Sequence, residues 1–151
     1  MARNRLMREL REVQRSQEPD IVLSMVGDTI EDWKALIMGP PESPFEGGQF
    51  ELEIKCSSQY PLVPPLMRFK TQIFHPNVKF DTGEICLDIL KSDWSPAWSL
   101  QAACRAIIAL LSHPNADSPL NCDAGNLLRC GDLRGFRSLA RMYTADLAIK
   151  P

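Results

Sequence analysis

Hydrophobic and polar positions change period several times along the 151 residues, and each change predicts an element. Residues 2–16 place Leu6, Leu10 and Val13 on one stripe with arginines outside it, the pattern of an amphipathic surface helix. Gln17, Glu18, Pro19 and Asp20 end it. Strand-like runs follow at 21–26, 33–38 and 49–56, separated by turn residues at 27–28 and 39–48. The third run alternates cleanly, with Phe50, Leu52 and Ile54 against Glu51, Glu53 and Lys55, so one face is buried and the other wet. A fourth short strand is expected at 67–70. Ser99 is a good N-cap for a helix carrying Leu100, Ala103, Cys104, Ile107, Leu110 and Leu111 and stopping at His113-Pro114-Asn115. Two more helices are expected at 123–129 and 133–149. The order is one helix, an antiparallel four-stranded meander, a long loop and three helices, which makes an α+β domain with helices stacked against one sheet.

The long loop is the anomaly. Nearly thirty residues without a sustained period, roughly 70–99, are unusual inside a compact domain unless they carry function. This stretch holds His75, Asn77, Cys86 and two of the three tryptophans. Alternation puts Ile85, Leu87 and Ile89 on one side and leaves Cys86 on the other with Glu84 and Asp88. A thiol on the polar side is accessible, as a reactive thiol must be. One chemistry open to it is thiol hydrolysis, with His75 as base and Asp88 as the orienting acid. His75-Pro76-Asn77 reads equally as a turn braced by its imidazole. Asn77 offers an amide donor of the kind that stabilises an oxyanion in acyl transfer.

Composition narrows the setting. The length fits one domain, residues 1–151, and 44% hydrophobic residues are enough for a sizeable core. A net charge of −2 argues against a general nucleic-acid binder. The charge is nevertheless uneven: Arg3, Arg5, Arg8, Arg11 and Arg15 stand against Glu9 and Glu12 in the first helix, which hints at a partner surface. No run approaches the roughly 18–20 apolar residues of a membrane span, so direct insertion is not expected. The first residues are too charged for a signal peptide, and Ile149-Lys150-Pro151 is not a peroxisomal Ser-Lys-Leu address. Five cysteines without a C-x-x-C pair read as reduced thiols in a cytosolic setting, with no metal site. Cys104 shares the apolar stripe of its helix and Cys56 ends a strand, so both read as structural; nothing activates Cys122 or Cys130.

Several motifs in order carry a resemblance. They are His75-Pro76-Asn77, the run Gly83-Glu84-Ile85-Cys86-Leu87-Asp88-Ile89-Leu90, and Trp94-Ser95-Pro96. Gly39-Pro40-Pro41, Pro44-Phe45-Glu46-Gly47-Gly48, Tyr60-Pro61 with Pro64-Pro65, and Asn115 with Ser118-Pro119-Leu120-Asn121 accompany them. Together they resemble the ubiquitin-conjugating enzymes across nearly the whole chain, and the order of elements agrees. Within that family the chain is most similar to the peroxisomal type. The reasons are one extra residue in the Lys79–Thr82 loop and the run Trp94-Ser95-Pro96-Ala97-Trp98.

The resemblance implies a ubiquitin-conjugating catalytic core domain and a transferase that holds ubiquitin as a thioester on Cys86. Asn77 falls on the asparagine assigned to oxyanion stabilisation or loop bracing, and Ser118 on a gate position where the family places Asp or Ser to position the attacking lysine. His75 becomes a loop brace, because an acyl-carrying cysteine needs no adjacent base. Arg5, Arg8, Leu62, Pro96 and Ala97 match positions that bind the ligase or the activating enzyme, although Val63 stands where many relatives carry lysine. Gln101, Arg105 and Ala109 match the surface touching the carried ubiquitin, with Arg105 replacing a commonly apolar residue. The implied partners are ubiquitin, a ubiquitin-activating enzyme that uses the ATP, a RING-type ligase and, for the peroxisomal type, a membrane-anchored recruiting protein. No cofactor is implied beyond ubiquitin as the carried group. The implied setting is cytoplasmic, at the cytosolic face of the peroxisomal membrane, in import-receptor ubiquitination and recycling. The alternative is a general cytosolic enzyme for ubiquitin or a ubiquitin-like modifier; a non-catalytic ubiquitin-binding variant is disfavoured by Cys86 together with Asn77.

Overall fold

A computed structural model describes residues 1–151. The first helix, α1 (Ala2–Ser16), buries Leu6 completely and half-buries Leu10 and Val13. It ends where Gln17 adopts a left-handed conformation. Four strands follow, β1 (Ile21–Val26), β2 (Thr29–Met38), β3 (Gln49–Lys55) and β4 (Leu66–Phe69), each antiparallel to the next in a meander ordered β1-β2-β3-β4. The register pairs Ala35 with both Leu23 and Leu52, and Leu52 with Phe69, so apolar side chains line one face. Leu23, Trp33, Ala35, Ile37, Phe50, Leu52, Ile54, Met67 and Phe69 are all buried there. The helix α2 (Leu100–Ser112) lays Leu100, Ala103, Cys104, Ile107 and Leu111 into the same core. The chain closes with α3 (Cys122–Arg129) and α4 (Leu133–Leu147).

The boundaries differ from the sequence pattern in instructive places. β2 starts four residues earlier than residue 33, because Val26 pairs with Thr29 across a tight turn in which Gly27 has φ 63°. There Trp33 Nε1 donates to the Ile30 carbonyl. α4 stops at Leu147 and not at 149, because Ile149 leaves the helix to exchange two backbone hydrogen bonds of 2.9 Å with Gln49. Helical periodicity cannot reveal this, since the competing partner lies a hundred residues upstream. The stretch between β4 and α2 is not formless: it holds a short hairpin, a 3₁₀ turn (Asp88–Leu90) and a series of hydrogen-bonded turns. Ser99 caps α2, its side chain accepting from the Ala102 amide at 3.0 Å.

That cap leads to a first expectation. Ser99→Ala removes one acceptor from the exposed amides of the first turn of α2 and should lower unfolding stability by about 1 kcal/mol, read as a shifted urea midpoint at unchanged slope.

Candidate active site

The thiol of Cys86 sits on a hairpin built from the segments 77–79 and 84–86. The Cys86 amide donates to the Asn77 carbonyl at 2.8 Å, and Lys79 donates to Glu84, also at 2.8 Å. Val78 bridges Ile85 between them, and both side chains are buried. Gly83 closes the turn with φ 80°, and its carbonyl accepts from the Phe69 amide of β4. A Cβ at Gly83 would stand 1.9 Å from the Phe69 carbonyl oxygen, so no side chain fits. With Ile85 anchored below and Glu84 exposed, Cys86 is half-buried. Strict alternation does not continue beyond it: Leu90 is buried, and Ile89 only half so. The cause is the 3₁₀ turn, in which the Leu90 amide donates to the Leu87 carbonyl and residues three apart share a face.

His75 lies under this hairpin with no exposed surface. Its Nδ1 accepts from the Asn77 amide at 3.0 Å, and its Nε2 lies 2.9 Å from the Leu110 carbonyl of α2, an acceptor that requires the Nε2–H tautomer. Burial pulls its pKa down to about 4, against which the Leu110 hydrogen bond acts only partly. Both ring nitrogens are therefore committed to backbone, and the ring is neutral. The hydrolase reading with His75 as base and Asp88 as orienting acid is corrected here, since His75 cannot reach the thiol with a free nitrogen and Asp88 is exposed.

Asn77 is 2% exposed, and its amide forms a two-bond clamp on one residue: Nδ2 donates to the Asn115 carbonyl and Oδ1 accepts from the Asn115 amide, both at 2.8 Å. Further along, the amides of Leu120 and Asn121 both donate to the Pro76 carbonyl. The segment 115–121 is thus stapled at both ends to the strand that carries Asn77. Ser118 rides exposed on its crest with φ 54°. Cys86, Asn77 and Ser118 consequently share one rigid frame.

The hairpin tip is held from the other side. The Phe80 ring packs on Tyr143 of α4 at 5.2 Å, and Tyr143 in turn stacks on Phe74 at 5.4 Å. Periodicity had no means of finding this contact between residues so far apart in the chain.

The expected binding residues divide. Arg8 is exposed, 3.9 Å from an exposed Glu12, and Leu62, Pro96, Ala97 and Ala109 are exposed as well. Arg5 is not a free surface cation: its guanidinium turns inward to Glu9 and to the Pro96 and Trp98 carbonyls. Arg105 has partners within the chain. It is exposed on α2 but tied to both carboxylate oxygens of Asp20 and to Glu18, a contact that lowers the pKa of Asp20. Half-buried Gln101 donates to the Ser16 hydroxyl. Burial pushes the thiols of Cys56 and Cys104 up to about 12, mainly by desolvation, which makes both inert, while Cys122 and Cys130 are exposed. No group of three or more His, Cys, Asp or Glu side chains is assembled for a metal ion.

Known proteins are similar to this chain over nearly its whole length. The ubiquitin-conjugating enzyme family profile matches residues 5–144. The chain is 61% identical over 145 residues to Protein PEROXIN-4 of Arabidopsis thaliana, covering 95% of this chain and 92% of that one. It is 56% identical over 141 residues to ubiquitin-conjugating enzyme E2 pex4 of Dictyostelium discoideum, covering 93% and 95%. Among solved structures it is similar to the H. polymorpha ubiquitin-conjugating enzyme Pex4p, crystallised in complex with the soluble domain of Pex22p. That likeness has a TM-score of 0.91 at 38% identity and covers 97% of this chain and 98% of that one.

The buried imidazole makes stability pH-dependent with a definite sign. The folded-state pKa of His75 lies below the unfolded value of 6.5, so the unfolded chain binds the extra proton as the pH falls. Stability from the neutral ring is fully present above pH 6.5 and is lost progressively towards pH 4, by on the order of 3 kcal/mol in total. Urea unfolding across this range should trace the loss. Imidazole nitrogen spectra should show one of the two histidines holding the Nε2–H tautomer at pH 5; two rings titrating near 6.5 would contradict the geometry.

Proposed function

Since the chain belongs to the ubiquitin-conjugating enzyme family, we propose that Cys86 is the residue on which it carries ubiquitin. The observation that carries this reading is a half-buried thiol on a locked hairpin, with the one histidine of that stretch spending both ring nitrogens on backbone. Such a site lacks the base that would activate water, so it is suited to holding an acyl group and not to hydrolysing it.

Two displacements make up the cycle. In the first, the Cys86 thiolate attacks the thioester carbonyl joining ubiquitin's C-terminus to the activating enzyme. A new sulfur–carbon bond forms, and the activating enzyme's thiolate leaves. ATP is consumed upstream, in making that first thioester. In the second, an acceptor amine or thiol attacks the carbonyl on Cys86, the Cys86 thiolate leaves, and the acceptor's proton passes to solvent. Both steps pass through an oxyanion. Asn77 is a candidate donor: one Nδ2 hydrogen is spent on Asn115 and the other remains to be given. We assign it both roles, bracing the 115–121 segment and donating to the oxyanion. Ser118, on the crest of that segment, positions the acceptor; a hydroxyl there is too weakly basic to serve as a general base.

The named relatives favour a peroxisomal role over a general cytosolic one or another modifier, and we assign the chain to ubiquitination of an import receptor, on lysine or cysteine, with a RING-type ligase. No helix is long and apolar enough to cross a membrane. By likeness to the relative crystallised with the soluble domain of Pex22p, we place it at the cytosolic face of the peroxisome and assign it a membrane-anchored recruiting partner.

Incubation with activating enzyme, ATP and ubiquitin tests the carrier role on a non-reducing gel. A single adduct should form that thiols dissolve, Cys86→Ala should form none, and Cys86→Ser should form an ester that survives reductant. An adduct on Cys86→Ala equal to that on the unaltered chain would remove Cys86 from the role. A fluorescent fusion should reach peroxisomes only while the anchoring partner is present.

A further inference from the structure

The outer face of the sheet carries a row of charges that the carrier chemistry does not require. Cross-strand partners follow one another as Lys34, Glu53, Arg68 and Glu84, through β2, β3, β4 and the second arm of the Cys86 hairpin. The first arm adds a fifth member. Its Val78 pairs with Ile85 and Lys79 donates to Glu84, so Lys79 stands opposite Glu84 as Asn77 stands opposite Cys86. All four side chains belong to the face turned away from buried Val78 and Ile85. Signs alternate along the whole row, and the last charge, beside the thiol, is the Lys79 ammonium.

Only part of this row is neutralised inside the chain. Arg68 donates to both Glu53 oxygens, at 3.0 and 3.2 Å, and to the Thr82 carbonyl. None of the six ion pairs of the protein includes Lys79 or Glu84, and both residues are exposed. Glu84 precedes Cys86 by two residues on the same arm, roughly 7 Å along the strand. Lys79 is the diagonal cross-strand neighbour of Cys86, at about 7–8 Å. Arg68, Lys79, Thr82 and Glu84 help to wall a cleft of ≈ 460 Å³, large enough to admit an acceptor side chain.

Lysine and cysteine acceptors meet this rung differently. A lysine arrives as an ammonium. It loses one proton to water before its nitrogen attacks the thioester carbonyl and a second as the amide forms, while the sulfur–carbon bond breaks and the Cys86 thiolate leaves. A cysteine arrives neutral and gives its single proton to water. Glu84 is the one carboxylate among the four outward side chains of the hairpin, and it would gather ammonium groups beside the thiol. Lys79, directly across from it, offsets that attraction and repels an ammonium in its own right. Resting on the conjugating-enzyme reading, we propose that Lys79 is a specificity-determining residue, a charge filter that screens Glu84 and weakens lysine as an acceptor at Cys86.

The test is single-turnover discharge of chain already charged with ubiquitin, into Nα-acetyl-lysine amide or Nα-acetyl-cysteine amide. The quantity read is the ratio of the lysine rate to the cysteine rate. Lys79→Gln should raise it about three-fold, the effect of one charge some 7 Å away in water. Lys79→Arg should keep the unaltered ratio, Glu84→Gln should lower it, and in Lys79→Gln/Glu84→Gln the gain over the unaltered chain should disappear. In 1 M salt, where charges are screened beyond about 3 Å, Lys79→Gln and the unaltered chain should converge. A lysine that merely supports the hairpin would move both rates together and would ignore salt. A Lys79→Gln ratio within about 1.5-fold of the unaltered one would overturn the proposal, as would a gain that persists in 1 M salt. On chain without ubiquitin, Nα-acetyl-lysine amide should shift the Glu84 carboxylate carbon resonance further in Lys79→Gln than in the unaltered chain. If the unaltered chain never charges, the conjugating reading falls, and this resonance still decides whether Lys79 screens Glu84: equal shifts in the two chains would overturn it.

Discussion

Everything near the thiol depends on one constraint: polar groups sealed away from water must find partners inside the protein. His75 and Asn77 meet it together. The imidazole joins α2 to the Asn77 backbone, and the Asn77 side chain joins that backbone to Asn115, so one uninterrupted chain of hydrogen bonds crosses from the helical layer to the crest that carries Ser118. The Cys86 amide hangs on the same residue, through the Asn77 carbonyl. No buried side-chain nitrogen or oxygen in the protein lacks a partner, so the network is complete rather than partly strained. A complete network of this kind rigidifies what it touches, whereas a half-satisfied one would be a weak point.

The constraint also explains the division of labour among residue types. A histidine and a cysteine in one irregular stretch invite the idea of a dyad, yet here the ring is consumed by architecture and kept uncharged. That leaves the thiol in a place that is rigid but not strongly basic. In the carrier role proposed for it, holding an activated acyl chain in water until an acceptor arrives, the absence of a free base would be protective. Rigidity here comes from backbone geometry.

Much of this could be read from the residues alone, and the failures share a cause. The alternation of β3, the Ser99 cap and the helical stripe of α2 are local patterns, and local patterns survive into the structure. The clustered His75, Asn77 and Cys86 were legible because an irregular stretch of that length stands out. What escaped depends on contacts between distant residues. Ile149 leaves its helix for Gln49, Phe80 finds Tyr143, and Arg5 abandons the solvent for Glu9 and two loop carbonyls. A helical wheel puts Arg5 among its exposed arginines because it cannot see the carbonyls waiting across the interface. Beyond Cys86 the local period itself changes from two to three, which brings Leu90 inside.

The geometry around Gly83 has a consequence for how this loop can vary over evolutionary time. The turn is pinned on one side by the rung between Lys79 and Glu84, and on the other by a glycine pressed against the Phe69 carbonyl so closely that no methyl group could be accommodated. Insertions and deletions are therefore confined to the three residues at the tip, 80–82. A residue gained or lost there lengthens or shortens the overhang without shifting the reading frame of Ile85, Cys86 and Leu87 relative to the sheet. The extra residue of this chain is then an adjustment of reach: the hairpin behaves as a tab of variable length attached to a thiol whose address does not change.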